Sequence, residues 1–371
     1  MYKERQKLFE RIESIRKRPL ITYVTSIRPN MSAQMVRDAV MQIILQVDAI
    51  PADQKEIDIL IISNGGDPIT SLRINNLLRE RFDKISVLVP YVAFSAATVL
   101  ALGADEIVMH PYSNLGPVDP QLTVAHSNEK GIQEHLQFSS EDIRNYVTFL
   151  KEDIGISDQQ HLVSAVQPLL KDVGALPIGR AKRGQQLSLS LSEKMLSTHI
   201  KDSNKAKSIA QLLNTSYYDH GYAVGRTEAK ELELPIVYPP KELEQLLWDV
   251  WRDYSDEMKC DDPFDVVSEV MNDKDAQQKI SQVPVVDLPV NTPPDVAAQI
   301  IIQYAQNTPV TTRSSLKKKV LIASIESTKF SKAVYNNIDI LYWRKPDMNL
   351  GVNCTISGTG WINYENEEGY V

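Results

Sequence analysis

Two short stretches of the 371-residue chain hold residues whose types and spacing suit chemistry. The first, ISNGGDPIT at 62–70, sets the adjacent glycines Gly65 and Gly66 between an apolar run and a helical pattern. No Gly-Lys-Ser or Gly-Lys-Thr follows, which excludes a phosphate loop, and the spaced glycines of a dinucleotide fingerprint are absent. What remains is a plain tight turn, or a turn whose backbone N–H groups, unobstructed by Cβ atoms, approach a developing oxyanion. The second stretch, SAATVLALG at 95–103, puts Ser95 where a strand turns into a helix. A serine there caps the helix through its hydroxyl, or stands exposed as a nucleophile with the helix N-terminus and the following amide stabilising negative charge.

The surrounding elements must bring these stretches together. PLITYV (19–24), IDILII (57–62), ISVLVP (85–90) and EIVMH (106–110) read as strands, the middle two as continuous apolar runs buried on both faces of a sheet. Helical patterns alternate with them: 31–47 with Ser32 as N-cap, the segment opened by Pro68, and 95–103. This alternation predicts right-handed crossovers and a mostly parallel sheet, an α/β core with the glycines at its carboxyl edge. From about 122 the pattern turns mainly helical, with a capping box at Ser139 and Asp142 and helices near 157–171, 180–201, 205–216 and 240–258. We expect an N-terminal helical arm (1–18), a main domain (19–258), a linker (259–294) ending in the proline-rich VPVVDLPVNTPP, and a small separate α+β unit (295–371).

The bulk properties narrow the function. With 43% hydrophobic and 24% charged residues the chain is an ordinary globular protein, and a net charge of −8 argues against a general nucleic-acid binder. Only Cys260 and Cys354 are present, in no CxxC pair, so a disulfide framework and structural zinc are not expected and a reducing, cytoplasmic setting is. The arm MYKERQKLFERIESIRKR mixes seven Lys or Arg with three Glu and reads as a packing or oligomerisation helix, and no run has the length of a membrane span.

LIISNGGDPITSLRINNLL followed by VLVPYVAFSAATVLALGADEIVMHPYSNLGPVDPQL resembles the Clp-fold serine peptidases, most closely the serine dehydrogenase proteinase family related to signal peptide peptidase A. The likeness spans roughly 20–122 and resumes at LLNTSYYDHGYAVGRTEAKELELPIVY (212–238). It implies a crotonase-like spiral of ββα units, Ser95 as nucleophile, an oxyanion hole from the amide of Gly65 or Gly66 with that of Ala96, no metal or organic cofactor, and self-association. Two positions depart from the family pattern: Asn64 precedes the glycines where proline is usual, and Ala97 replaces a glycine.

The resemblance implies a general base, since a serine hydroxyl is a poor nucleophile without one. The histidine of the Clp protease branch falls here on Val118 and Asp119, while His110 and His126 sit outside that segment and read as ordinary surface or core residues. The lysine of the signal-peptide-peptidase branch would be kept neutral by burial. Lys130 fits its order best and Lys151 second; Asp119 is a minor candidate to orient a base, and equally a turn former. The expected activity is hydrolysis of peptide bonds in a soluble protein or peptide. The alternatives are a catalytically silent scaffold whose C-terminal unit binds partners, with Trp343 and Trp361 suited to an interface, and acyl-CoA chemistry on the same fold.

Overall fold

The computed structural model describes residues 2–127, 133–215, 217, 219, 221–280, 287–307, 313–345 and 349–364. The chain opens with helix α1 (Tyr2–Arg16), strand β1 (Leu20–Thr25), α2 (Ala39–Asp48), β2 (Glu56–Ile62), α3 (Pro68–Arg81), β3 (Lys84–Val89), β4 (Val92–Ala93), α4 (Ala96–Leu102), β5 (Glu106–Met109) and β6 (Asn114–Leu115). A hairpin of β7 (Gln121–Ser127) and β8 (Gln133–Ser139) precedes α5 (Ser140–Thr148), a π-helical turn (Phe149–Asp153), α6 (Gln159–Val173), α7 (Ala175–Leu196) and α8 (Ser203–Thr215). Then come β9 (Val224–Gly225), α9 (Arg226–Glu231), β10 (Ile236–Val237), α10 (Lys241–Met258), α11 (Val266–Met271), α12 (Lys274–Ile280) and α13 (Pro294–Asn307). Four strands close the chain: β11 (Ser314–Glu326), β12 (Ser331–Arg344), β13 (Leu350–Gly358) and β14 (Ile362–Asn363).

The central sheet runs β10-β5-β3-β2-β1-β11-β12-β13, with β14 beside β12. From β10 to β1 the pairing is parallel, and β11 joins β1 antiparallel through Thr22 to Thr25 against Glu326 to Ala323. Strand side chains alternate between two cores. Ile21, Tyr23, Ile59, Ile61, Val87 and Met109 share one core with residues of α2, α3, α4, α7 and α8, while Leu20, Val24, Leu60, Ile62, Leu88 and Val108 share the other with α1 and α10. The apolar runs read from the sequence are thus strands buried on both faces. Among the described residues no helix is long and apolar enough to cross a membrane.

The C-terminal strands do not form a separate unit. They extend the main sheet, because β1 has an unpaired edge that β11 satisfies. The expected linker is partly structured as well: α11 and α12 bury Val270, Ala276 and Ile280 with Phe264 against Ile338 and Ile340 of β12, and 281–286 lie outside the described residues. Lys317 to Lys319 fall in the part of β11 that β1 does not reach, where charge discourages edge pairing. Trp343 lies beneath the Arg313 guanidinium, 4.9 Å from its ring centre, and Trp361 packs on the first core, so both are partly covered by their own chain. The predicted helix over 31–47 starts only at Ala39, with Asp38 rather than Ser32 at its cap position, for a reason that belongs to the glycine turn.

One buried ionic cluster ties the two ends together. Arg5, fully buried, makes a two-pronged contact with Glu326 at 2.9 Å on each prong, bonds Asp253 at 2.5 Å and Glu257, and covers the Tyr254 ring at 4.2 Å. Tyr254 Oη donates to Glu326 at 2.8 Å. Burial opposes the charge of Arg5, but Glu326 and its neighbours outweigh it and hold the guanidinium well above its ordinary range. Removing one partner of such a cluster strands buried charge. Arg5→Ala is therefore expected to cost about 3–5 kcal/mol in urea denaturation, and a loss under about 1 kcal/mol contradicts this account.

Candidate active site

Strand β2 ends at Ile62, and Ser63 carries the chain beside β4, its N–H donating to Val92 O at 3.1 Å and its carbonyl accepting from Phe94 N–H at 2.9 Å. Gly65 and Gly66 follow with φ of +101° and +150°, the first a conformation L side chains rarely adopt. A Cβ on Gly65 would lie 2.7 Å from Ser95 Cβ, 2.9 Å from Ala96 N and 2.6 Å from Phe94 O. A Cβ on Gly66 would lie 2.4 Å from Met35 O. The turn is held by Met35, whose N–H donates to Gly65 O at 2.7 Å and whose carbonyl accepts from Asp67 N–H at 2.9 Å. These strand-like bonds keep residue 35 extended and delay the start of α2.

Ser95 stands at the N-cap position of α4 with φ 51° and ψ −117°, and its hydroxyl makes no capping hydrogen bond. A non-glycine residue in that conformation is strained, and its surroundings over-determine it. Thr98 bonds Ala93 O at 2.6 Å and accepts from Gly116 N–H at 3.0 Å, and Ser71 donates to Ala96 O at 2.6 Å. The Gly65 N–H donates to Ser63 Oγ at 3.0 Å, which also accepts from Thr25 Oγ1 at 2.7 Å. Among the described residues no acceptor is found for the N–H groups of Gly66 and Ala96.

Gly65, Gly66, Ser95 and Ala96 therefore meet at the carboxyl edge of the sheet, with Ser95 half-buried and Ala96 and Ala97 buried beneath it. Sequence reasoning missed Thr25, Met35, Ser63, Ser71 and Thr98, the residues that position the turn; short polar side chains at strand ends and on α3 and α4 were the available signal. Lys130 and the His126 side chain lie outside the described residues. Lys151 is exposed on the π-helical turn, and among the described residues no contact joins it to Ser95. Asp119 is half-buried and accepts from Gln121 Nε2 at 2.9 Å.

Residues 3–182 match the model of the ClpP-like SDH-type serine proteinase family. Over that stretch, just under half of its length, the chain is similar to that family. Two uncharacterized proteins of Methanocaldococcus jannaschii are similar to it: one is 29% identical over 197 residues, covering 53% of this chain and 58% of its own, and the other 27% identical over 205 residues, covering 55% and 60%. The chain thus spans about six-tenths of the curated relatives it matches. Among solved structures, the membrane-bound stomatin-specific protease 1510-N in a serine-to-alanine form overlaps 62% of this chain and 84% of its own at 14% identity and TM-score 0.36. Its lysine-to-alanine form with a substrate peptide overlaps 61% and 78% at 15% identity and TM-score 0.34. ClpP1 from Listeria monocytogenes overlaps 60% and 94% at 11% identity and TM-score 0.31. Within the family region, the glycine turn and the serine lie on adjacent strand ends.

His110 is buried, stacks on Trp248 with ring centres 5.0 Å apart, and accepts the Tyr112 N–H on Nδ1 at 3.1 Å. Burial pushes its pKa below the ordinary 6.5, with Glu244 opposing and Arg226 assisting. The unfolded chain then takes up the proton more readily, so stability is full above about 6.5 and falls as pH drops below it. His199, half-buried with Nε2 2.9 Å from Leu102 O, is lowered in the same direction, burial being the main cause. Urea midpoints should fall between about pH 7 and 5, and less so in His110→Asn; an unchanged slope rejects this assignment. At the glycine turn, Gly65→Ala should cost about 3 kcal/mol or more by thermal melting, since a conformational penalty is added to a backbone clash; a stable variant refutes the close approach.

Proposed function

We propose that this chain is a serine peptidase in which Ser95 attacks the carbonyl carbon of a peptide bond. The observation that carries the reading is that Ser95, strained at a strand-to-helix turn and unused as a cap, lies directly against Gly65. Attack forms a bond from Ser95 Oγ to carbon and moves the carbonyl π electrons onto oxygen. The N–H groups of Gly66 and Ala96 are the donors for that oxyanion, since the Gly65 N–H is engaged by Ser63. A lysine, Lys130 or Lys151, takes the hydroxyl proton and returns it to the leaving amine; water then hydrolyses the acyl-enzyme. Asp119 turns the chain rather than orienting the base. The substrate is a protein or peptide, self-association follows the family resemblance, and the free Cys260 and Cys354 suit a reducing cytoplasmic setting.

The exposure of Lys151 favours a second reading, a scaffold without turnover. A fluorophosphonate probe separates the two. Labelling should be abolished in Ser95→Ala and slowed by about 10² or more in whichever of Lys130→Ala and Lys151→Ala lacks the base, with folding checked by circular dichroism. Labelling that persists without the Ser95 hydroxyl removes the nucleophile assignment, and no labelling at any pH up to about 9 supports the scaffold.

A further inference from the structure

A cleft of about 550 Å³ opens between α5, α7 and α8, lined by Arg144, Lys182, Gln185, Ser208, Gln211 and Thr215 among others. Its lining contains two cations and no carboxylate, on a chain whose net charge is −8. Lys182 is exposed, and its Nζ donates to Gln185 Oε1 at 3.0 Å, a neutral partner that holds the ammonium without cancelling its charge. Gln185 is itself fixed, accepting from Ser140 Oγ at 3.2 Å and donating to Glu141. Glu141 divides its two oxygens between Gln185 and Arg144, the latter at 3.4 Å, and so offsets Arg144 only partly. The other polar groups are amides and hydroxyls, which bond peptide backbone as readily as side chains, and Leu189 and Leu212 complete the lining.

The cleft is mechanically joined to the site. Its walls α7 and α8 grip Val118, Ser188 Oγ donating to Val118 O at 2.5 Å and Leu213 O accepting from Val118 N–H at 3.0 Å. Two residues earlier, Gly116 is bonded to Thr98 on the helix that Ser95 begins. We propose that this cleft receives an acidic stretch of the polypeptide on which Ser95 acts, with Lys182 and Arg144 pairing its carboxylates. The inference rests on the peptidase reading for the identity of its ligand. A peptide is favoured over a phosphate ligand because the lining has no cluster of helix-terminal amides and sets amide and hydroxyl side chains and two leucines beside its two cations.

The test is fluorescence anisotropy with labelled hexaglutamate, hexaserine and hexalysine on full-length Ser95→Ala protein, so that binding is read apart from chemistry. Hexaglutamate should bind in preference to the other two and weaken as salt rises from about 50 to 300 mM. Lys182→Gln and Arg144→Gln should each raise its dissociation constant roughly three- to fivefold, and the pair roughly tenfold, while Lys171→Gln, a surface change of equal charge on α6, leaves it unaltered. Lys182→Glu should reverse the preference towards hexalysine. The proposal is overturned if hexaglutamate does not bind, if Lys171→Gln weakens it as much, or if tripolyphosphate binds more tightly than hexaglutamate through the same two cations. If hexaglutamate binds as expected while the wild type resists fluorophosphonate, the peptidase reading fails and the acidic-peptide cleft stands.

Discussion

Two backbone segments approach more closely here than any side chain would allow. The turn at Gly65 lies against Phe94, Ser95 and Ala96 at distances that leave no volume for a Cβ, and the turn at Gly66 lies equally close to Met35. Everything at the carboxyl edge of the sheet follows from that proximity. Met35 is drawn into strand-like bonding, Ser63 bridges β2 to β4, and Ser95 is left in a conformation its hydroxyl does not relieve. Such strain persists only because buried neighbours outvote it, and the wholly buried helix α4 supplies them.

Support for this edge comes from short polar side chains. Thr98 links β4 and Gly116 to α4, Ser71 fixes the carbonyl of Ala96, and Thr25 reaches Ser63 from the neighbouring strand. All four are buried, so each hydrogen bond is made in surroundings where its loss leaves a polar atom without solvent. The geometry of this edge is thus a property of the sheet and its first layer of helices. A partly buried ionic cluster lies at the opposite edge: Arg16 pairs Asp58 at 2.8 Å and Glu106 at 3.1 Å, residues near the amino ends of β2 and β5, where Glu106 is held down to about 2, burial raising it and bonds from Lys84, Arg16 and Ser86 more than offsetting that.

The parallel core was legible because strands buried on both faces must be apolar at every position, and β1, β2, β3 and β5 are nearly so. The glycine turn and Ser95 were legible because few residue types tolerate those conformations. The capping box at Ser139 and Asp142 was equally plain, and it forms. The β7–β8 hairpin was not, since Gln121, Thr123, Gln133, Glu134 and Gln137 carry little apolar alternation and the segment is mostly exposed. The attachment of β11 to β1 was hidden for a different reason: strand pairing across some three hundred residues leaves no local pattern, and only the buried charge of Arg5 against Glu326 marks it.

That pairing has a consequence for how the protein is made. Arg5 and Glu326 are separated by 321 residues, and β1 shares its outer edge with a strand near the end of the chain. At roughly 5–20 residues per second, the ribosome needs on the order of 15–60 seconds to supply the partner. Throughout that interval the β1 edge and a cation destined for burial face solvent, so the final closure of the sheet is a late, long-range event even though the glycine turn and Ser95 come from neighbouring segments.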